Sequence, residues 1–133
     1  MDKTDQINSE YWKSYYNNIK IVNRNEDLQI NVSRTRGGLK VEDEVWIKTI
    51  NYMLDLLSIN QDSSVLELCC GNGLIIGEIA KKCKFACGVD YSEILLNQLK
   101  GNFKSENLIA INSDIKEYEL SNNKYDAIII YFS

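Results

Sequence analysis

One pattern constrains this chain more than any other. At Ser64–Ala80, "SVLELCCGNGLIIGEIA", a run that alternates like a buried strand breaks into Cys-Cys-Gly-Asn-Gly and resumes at helical spacing. The same switch between strand and helix periods recurs downstream. Strands are predicted over Val65–Cys69, Phe85–Asp90, Leu108–Asn112 and Tyr125–Phe132, with helices over Leu74–Lys82 and Glu93–Phe103. Ser92 is placed to cap the second of these helices. Strands joined by helix-length segments become parallel neighbours through crossovers, so the expected fold class is α/β, a Rossmann-like parallel sheet.

The first sixty residues follow a different rhythm. A helix predicted over 8–22, entered at Asn8 or Ser9, puts Tyr11, Trp12, Tyr15 and Tyr16 on one face. Packing of that face against the sheet or a second helix is the preferred reading, and capping of a pocket the other. The stretch "NRNEDLQINVSRTRGGLK" (23–40) reads as a long loop with a Gly-Gly turn signal. "VEDEVWIKTINYMLDLLSI" (41–59) is an amphipathic helix, with Val45, Ile50, Met53, Leu54 and Leu57 on or near its apolar stripe. The 133 residues suit one domain: an N-terminal helical segment, 1–61, and an α/β core, 62–133.

Composition narrows the functional classes. No apolar run approaches the roughly 18 residues of a membrane span, so no membrane partner is expected. The N-terminus "MDKTDQINSEYWK" has no apolar signal core, and a cytoplasmic location is expected. A net charge of −4 argues against a nucleic-acid partner held by phosphate neutralisation. The chain has no histidine, which removes imidazole bases and ligands. Cys69, Cys70, Cys83 and Cys87 are expected to be reduced and mostly buried. Only Cys83-x₃-Cys87 has a metal-ligand spacing, so no metal site is expected.

Three features follow three successive strands: Gly71-Asn72-Gly73, Asp90 and Asp114. In a parallel sheet these carboxyl ends share one edge, where open α/β sheets bind ligands. The glycines permit close backbone approach. A carboxylate at Asp90 can accept from both ribose hydroxyls. Asp114 can accept from an exocyclic amine, with the backbone N–H of Ile115 facing a ring nitrogen. Together they outline an adenosine site. "GNGLIIG" is one residue off the dinucleotide fingerprint, and Glu67 lies four residues before Gly71. A pyrophosphate gains nothing from that carboxylate, whereas a ligand with an amino group and a sulfonium does. The implied cofactor is S-adenosylmethionine.

The stretches "VLELCCGNG", "CGVDYSEILLNQLK", "INSDIKEYEL" and "YDAIIIYFS" resemble, in order and spacing, the first four motifs of the class I S-adenosylmethionine-dependent methyltransferases, over residues 62–133. The resemblance implies that Glu67 and the backbone from Cys69 through Gly71 to Gly73 surround the methionine part. It implies further that Asp90 binds ribose, Tyr91 lies against the adenine face and Asp114 binds the adenine amine. Cys69 stands where the family commonly has a glycine, and an ordinary φ is expected for it.

The family sheet order, 3-2-1-4-5-7-6, implies a 3-2-1-4 core here, with the C-terminal half missing and "AIIIYF" (127–132) left as an exposed edge. An apolar edge of this kind is a pairing hazard. A truncated chain, a partner chain or a homodimer covering strand 125–132 are the expected explanations. Arg34 and Arg36 are candidates to reach the methionine carboxylate or an acidic substrate, with a solvated loop as the plain alternative. Tyr131 and Ser133 lie beside the site, but neither is assigned as a base, so the catalytic residue is open. The expected function is methyl transfer to a small-molecule acceptor. A non-catalytic nucleotide-binding or interaction module is the alternative, and a NAD-binding domain the weaker one.

Overall fold

In the computed structural model of this chain, residues 3–17, 28–32, 35–120 and 124–131 are described. The elements run α1 (Lys3–Asn17), α2 (Leu28–Asn31), α3 (Asp43–Leu56), β1 (Ser64–Leu68), α4 (Ile76–Ala80), β2 (Phe85–Asp90), α5 (Glu93–Asn102), β3 (Leu108–Asn112) and β4 (Ala127–Ile130). All paired strands are parallel, in the order β3-β2-β1-β4. The predicted Rossmann-like α/β fold and strand order are therefore present. β2 and β3 fall on their predicted bounds. The helix α1 starts five residues ahead of the predicted entry at Asn8, because Lys3–Ile7 contains no Pro or Gly to stop it. Its predicted end, 18–22, lies outside the described residues.

The predicted loop at 23–40 holds local structure. Leu28–Asn31 forms the short α2. Arg36 and Leu39 exchange backbone hydrogen bonds of 3.0 and 3.2 Å in an antiparallel bridge. Between them Gly37 and Gly38 take φ of +60° and +77°. Two successive left-handed residues make the tight turn that suits a hairpin, and glycine adopts them without strain.

One face of the sheet is thickly covered. Ile50 and Leu54 of α3, Ile76 and Ile79 of α4, and Leu96 and Leu99 of α5 form one core with Val65, Ala86, Ala127 and Ile129. Val45 and Leu57, placed on or near the apolar stripe of α3, are exposed instead, while Trp46, Ile50, Met53 and Leu54 face the core. The other face is thin. Leu66, Cys87 and Val89 are buried there beneath Tyr118 and Tyr125 from the segment after β3, and the Tyr125 ring stacks on Phe85 at 6.5 Å. Register extends this face outward from Leu66 to Ile128 and from Cys87 to Ile109. Those two isoleucines remain 47% and 46% exposed, although parallel sheets are ordinarily covered on both sides.

The β1–α4 turn carries a correction. Cys69 takes φ +56°, not the ordinary value expected. The chain must reverse from β1 into the turn within one residue, and the left-handed conformation does this whether or not glycine is present. For a residue with a Cβ that conformation costs about 1–2 kcal/mol. Gly73, at φ +79°, has a second reason to be glycine: an added Cβ would lie 2.5 Å from Leu99 Cγ.

Two outcomes are expected in urea unfolding. Cys69→Gly gains about 0.5–1 kcal/mol, the relieved strain exceeding glycine's extra unfolded-state entropy; a fall in the midpoint would contradict the strain. Gly73→Ala loses about 2–4 kcal/mol, from left-handed strain together with overpacking against Leu99; a loss below about 1 kcal/mol would contradict the contact.

Candidate cofactor site

The tips of β1, β2 and β3 are joined through one residue. Asp90 closes β2, and its side chain spans the neighbouring turns. Its Oδ2 accepts the Gly71 N–H at 2.8 Å, and its Oδ1 accepts the Ser92 N–H at 2.8 Å. Its backbone carbonyl accepts the Ser113 N–H at 3.0 Å and the Asn112 side-chain amide at 3.1 Å. Charge-assisted bonds from backbone amides fix a carboxylate firmly, so Asp90 is oriented before any ligand arrives. Only 8% of the residue is exposed.

Glu67 is fully buried on the helix-covered face of the sheet, and its Oε2 accepts the Ile76 N–H at 2.9 Å. It therefore satisfies one of the free amides at the start of α4. Gly71 lies under the N-terminal segment, where an added Cβ would come 3.0 Å from Val32 Cγ1. The close approach that Gly73 permits is made by the chain's own Leu99. Asn72, between them, donates to the Leu28 carbonyl at 2.7 Å and to Gln98 Oε1 at 3.1 Å, tying the turn to α2 and α5. Nothing in the sequence pattern signals that tie.

Asp114 begins the turn after β3. Its Oδ1 accepts the Lys116 N–H at 3.0 Å, and its Oδ2 pairs with Lys13 Nζ at 3.3 Å. The Lys116 amide, with Lys13 behind it, holds the carboxyl below its ordinary range. Ile115 follows with 39% exposure, and its backbone N–H meets no acceptor among the described residues. Tyr91 donates its hydroxyl to the Trp12 carbonyl at 3.0 Å. Burial, and then the charge of Asp90, push that phenol up to about 12.

The helix α1 lies over these tips. Besides the Trp12 and Lys13 contacts, the Ser92 hydroxyl donates to the Tyr16 carbonyl at 2.7 Å while its oxygen accepts the Leu95 N–H at 3.4 Å. Ser92 thus caps α5, as predicted, and also fastens α1. Residues 101 positions apart meet in the Lys13–Asp114 pair, which no local pattern encodes. The aromatic face of α1 packs mainly on itself, Trp12 stacking on Tyr16 at 6.1 Å and Tyr15 meeting Tyr16 edge-on at 5.1 Å. Tyr11, Trp12 and Tyr15 of that face are exposed, and α1 as a whole neighbours α5.

The electrostatics of the site converge on the tip of β1. Burial raises the Cys69 thiol, and the charges of Asp90, Glu67 and Asp114 raise it further. Three carboxylates therefore act on one point. Cys70, Cys83 and Cys87 are also raised, each first by burial, so all four cysteines are neutral thiols at physiological pH. Among the described residues no cluster of Cys, Asp or Glu has the arrangement of a metal site, and no helix is long and apolar enough to cross a membrane. Arg34 and Ser133 lie outside the described residues.

The chain can now be set beside known proteins. A family model for a methyltransferase domain matches residues 65–133. An uncharacterized methyltransferase of Mycobacterium tuberculosis is 27% identical over 89 residues, 65% of this chain and 45% of the relative. Ribosomal RNA small subunit methyltransferase A of Mycoplasma capricolum is 28% identical over 82 residues, 60% of this chain and 31% of the relative. Among solved structures, coclaurine N-methyltransferase bound to N-methylheliamine and S-adenosylhomocysteine matches with a TM-score of 0.62 at 22% identity, covering 97% of this chain and 42% of that one. This chain spans less than half the length of each of these proteins. By its sheet order and by a matched domain that fills more than half of its sequence, this chain belongs to the class I S-adenosylmethionine-dependent methyltransferase family.

Proposed function

We propose that the chain binds S-adenosylmethionine across the tips of β1, β2 and β3 and serves the transfer of its methyl group to a small-molecule acceptor. In this reading Glu67 and the Cys69–Gly73 turn, including Gly71 and Gly73, face the methionine part. Asp90 takes the ribose hydroxyls, Tyr91 flanks the adenine, and Asp114 with the Ile115 N–H takes the adenine edge.

The observation that carries the reading is that Asp90 ties the tips of β1, β2 and β3 together through the Gly71, Ser92 and Ser113 amides, with Glu67 in β1 and Asp114 after β3 as further carboxyl groups at this edge. A negative potential there favours a ligand whose charged centres are a sulfonium and an ammonium, and it opposes the pyrophosphate of a dinucleotide. The unengaged Ile115 N–H suits a ring nitrogen. Bound S-adenosylmethionine supplies an electrophilic methyl group on sulfur. The protein's part is positioning: Asp90 is held by two amides, and α1 lies over the tips of β2 and β3, where the adenosine is placed. We place this activity in the cytoplasm, in the 62–133 core, with 1–61 as the covering segment. We also assign β4, whose outer edge pairs with no strand among the described residues, to contact with a partner chain or a second copy.

Calorimetric titration with S-adenosylhomocysteine tests the site. Wild type binds it in preference to NAD. Asp114→Ala removes the surface ion pair with Lys13, worth about 0–1 kcal/mol, and the hydrogen bond from the Lys116 N–H, worth about 1 kcal/mol; it lowers thermal stability modestly without unfolding the chain and weakens binding about tenfold, a loss of roughly 1.4 kcal/mol. Preference for NAD, or undiminished binding by Asp114→Ala, would falsify the reading. Asp90→Asn is expected to lower both binding and stability, since one of two N–H donors would then face an amide N–H₂.

A further inference from the structure

Beside the cofactor site lies a cavity that the preceding assignment does not use. Its volume is about 580 Å³, within the roughly 300–1,000 Å³ range of small-molecule sites. Its walls come from the Arg36–Leu39 hairpin, the start of α3 and the end of β4. Trp46 and Tyr131 contribute aromatic surface, and Leu39, Val41 and Val45 contribute aliphatic surface. Tyr131 follows Ile130, which is level with Leu68 in the β1–β4 register, so it leaves the sheet beside the start of the Cys69–Gly73 turn. The cavity therefore adjoins the end of the site where the methionine part is placed.

Its charges are unevenly balanced. The lining holds two cations, Arg36 and Lys40, and one anion, Glu42. Lys40 is already paired with Asp43 at 2.7 Å. Arg36 has no partner among the described residues, and its backbone is fixed at both polar groups by the bridge to Leu39. A guanidinium presented from a tight hairpin offers a planar fork that matches a carboxylate. Aromatic walls favour a flat ring, and ring pairs add about 0.5–1.5 kcal/mol beyond area burial.

From this arrangement we infer that the cavity is the acceptor pocket and that it takes a small aromatic carboxylate, its acid on Arg36 and its ring against Trp46 and Tyr131. The inference rests on the cofactor reading for the word acceptor, but the recognition of an aromatic acid stands on the cavity alone.

The test is nuclear magnetic resonance titration of the Trp46 indole N–H, with and without S-adenosylhomocysteine. The probes are benzoate, 2-naphthoate and indole-3-acetate, each against its neutral amide. At least one carboxylate is expected to shift Trp46 saturably and to bind at least tenfold more tightly than its amide. Arg36→Gln is expected to abolish that tenfold difference while leaving S-adenosylhomocysteine affinity, measured by calorimetry, unchanged; a fall in that affinity would put Arg36 on the methionine carboxylate and overturn the proposal. Arg36→Lys is expected to restore only part of the preference, because the bidentate fork is lost. Equal binding of acid and amide, an unchanged preference in Arg36→Gln, or no shift of Trp46 by any carboxylate overturns the proposal. So does a shift of Trp46 by a short RNA oligonucleotide in place of the acids. Loss of S-adenosylhomocysteine binding with carboxylate binding intact would sink the cofactor reading instead, so the two failures are told apart.

Discussion

The structure turns on the hydrogen bonds of Asp90. A buried carboxylate is tolerable only when its oxygens are met by donors, and here the donors are backbone amides from the β1–α4 turn and from the start of α5. The same residue's carbonyl receives the chain as it leaves β3. Three loops that are far apart in sequence are thus held in one register by a single position. A ligand that bonds to this edge meets groups already aligned, and little ordering remains to be done on binding.

Around that hub the molecule is asymmetric. The helix-covered face is built as a conventional core, and small residues there allow close packing, as at Gly73 against Leu99. The opposite face relies on two tyrosines and leaves Ile109, Ile128 and Ile130 in solvent. The carboxyl edge of the sheet is closed from above by α1, through carbonyls of Trp12 and Tyr16 and the Lys13 ammonium. These are polar attachments at the rim of the site.

Cys69 shows how geometry can outlast the residue that suits it. The turn demands a left-handed conformation at the end of β1 whichever residue stands there, and cysteine adopts it at φ +56°. The neighbouring hydrogen bonds, Cys70 N–H to the Val89 carbonyl at 3.0 Å and Gly73 N–H to the Cys70 carbonyl at 3.1 Å, over-determine the turn and hold the strain in place.

The periodicities of the sequence by themselves determined the class of fold, because strands and helices that alternate at those lengths admit few arrangements besides a parallel layered sheet. They also determined that Gly71, Asp90 and Asp114 share one edge, since each follows a strand of that sheet, and that Ser92 caps α5. Tertiary structure alone decided what those groups touch. The pairing of Lys13 with Asp114, the strap from Asn72 to Leu28, the occupation of the space over Gly73 by Leu99 and the cavity between the Arg36 hairpin and Tyr131 join segments distant along the chain. No local propensity encodes such contacts. They arise only when packing of the apolar faces fixes where each helix lies, and the polar groups at the sheet's edge then pair with whatever that packing brings within reach.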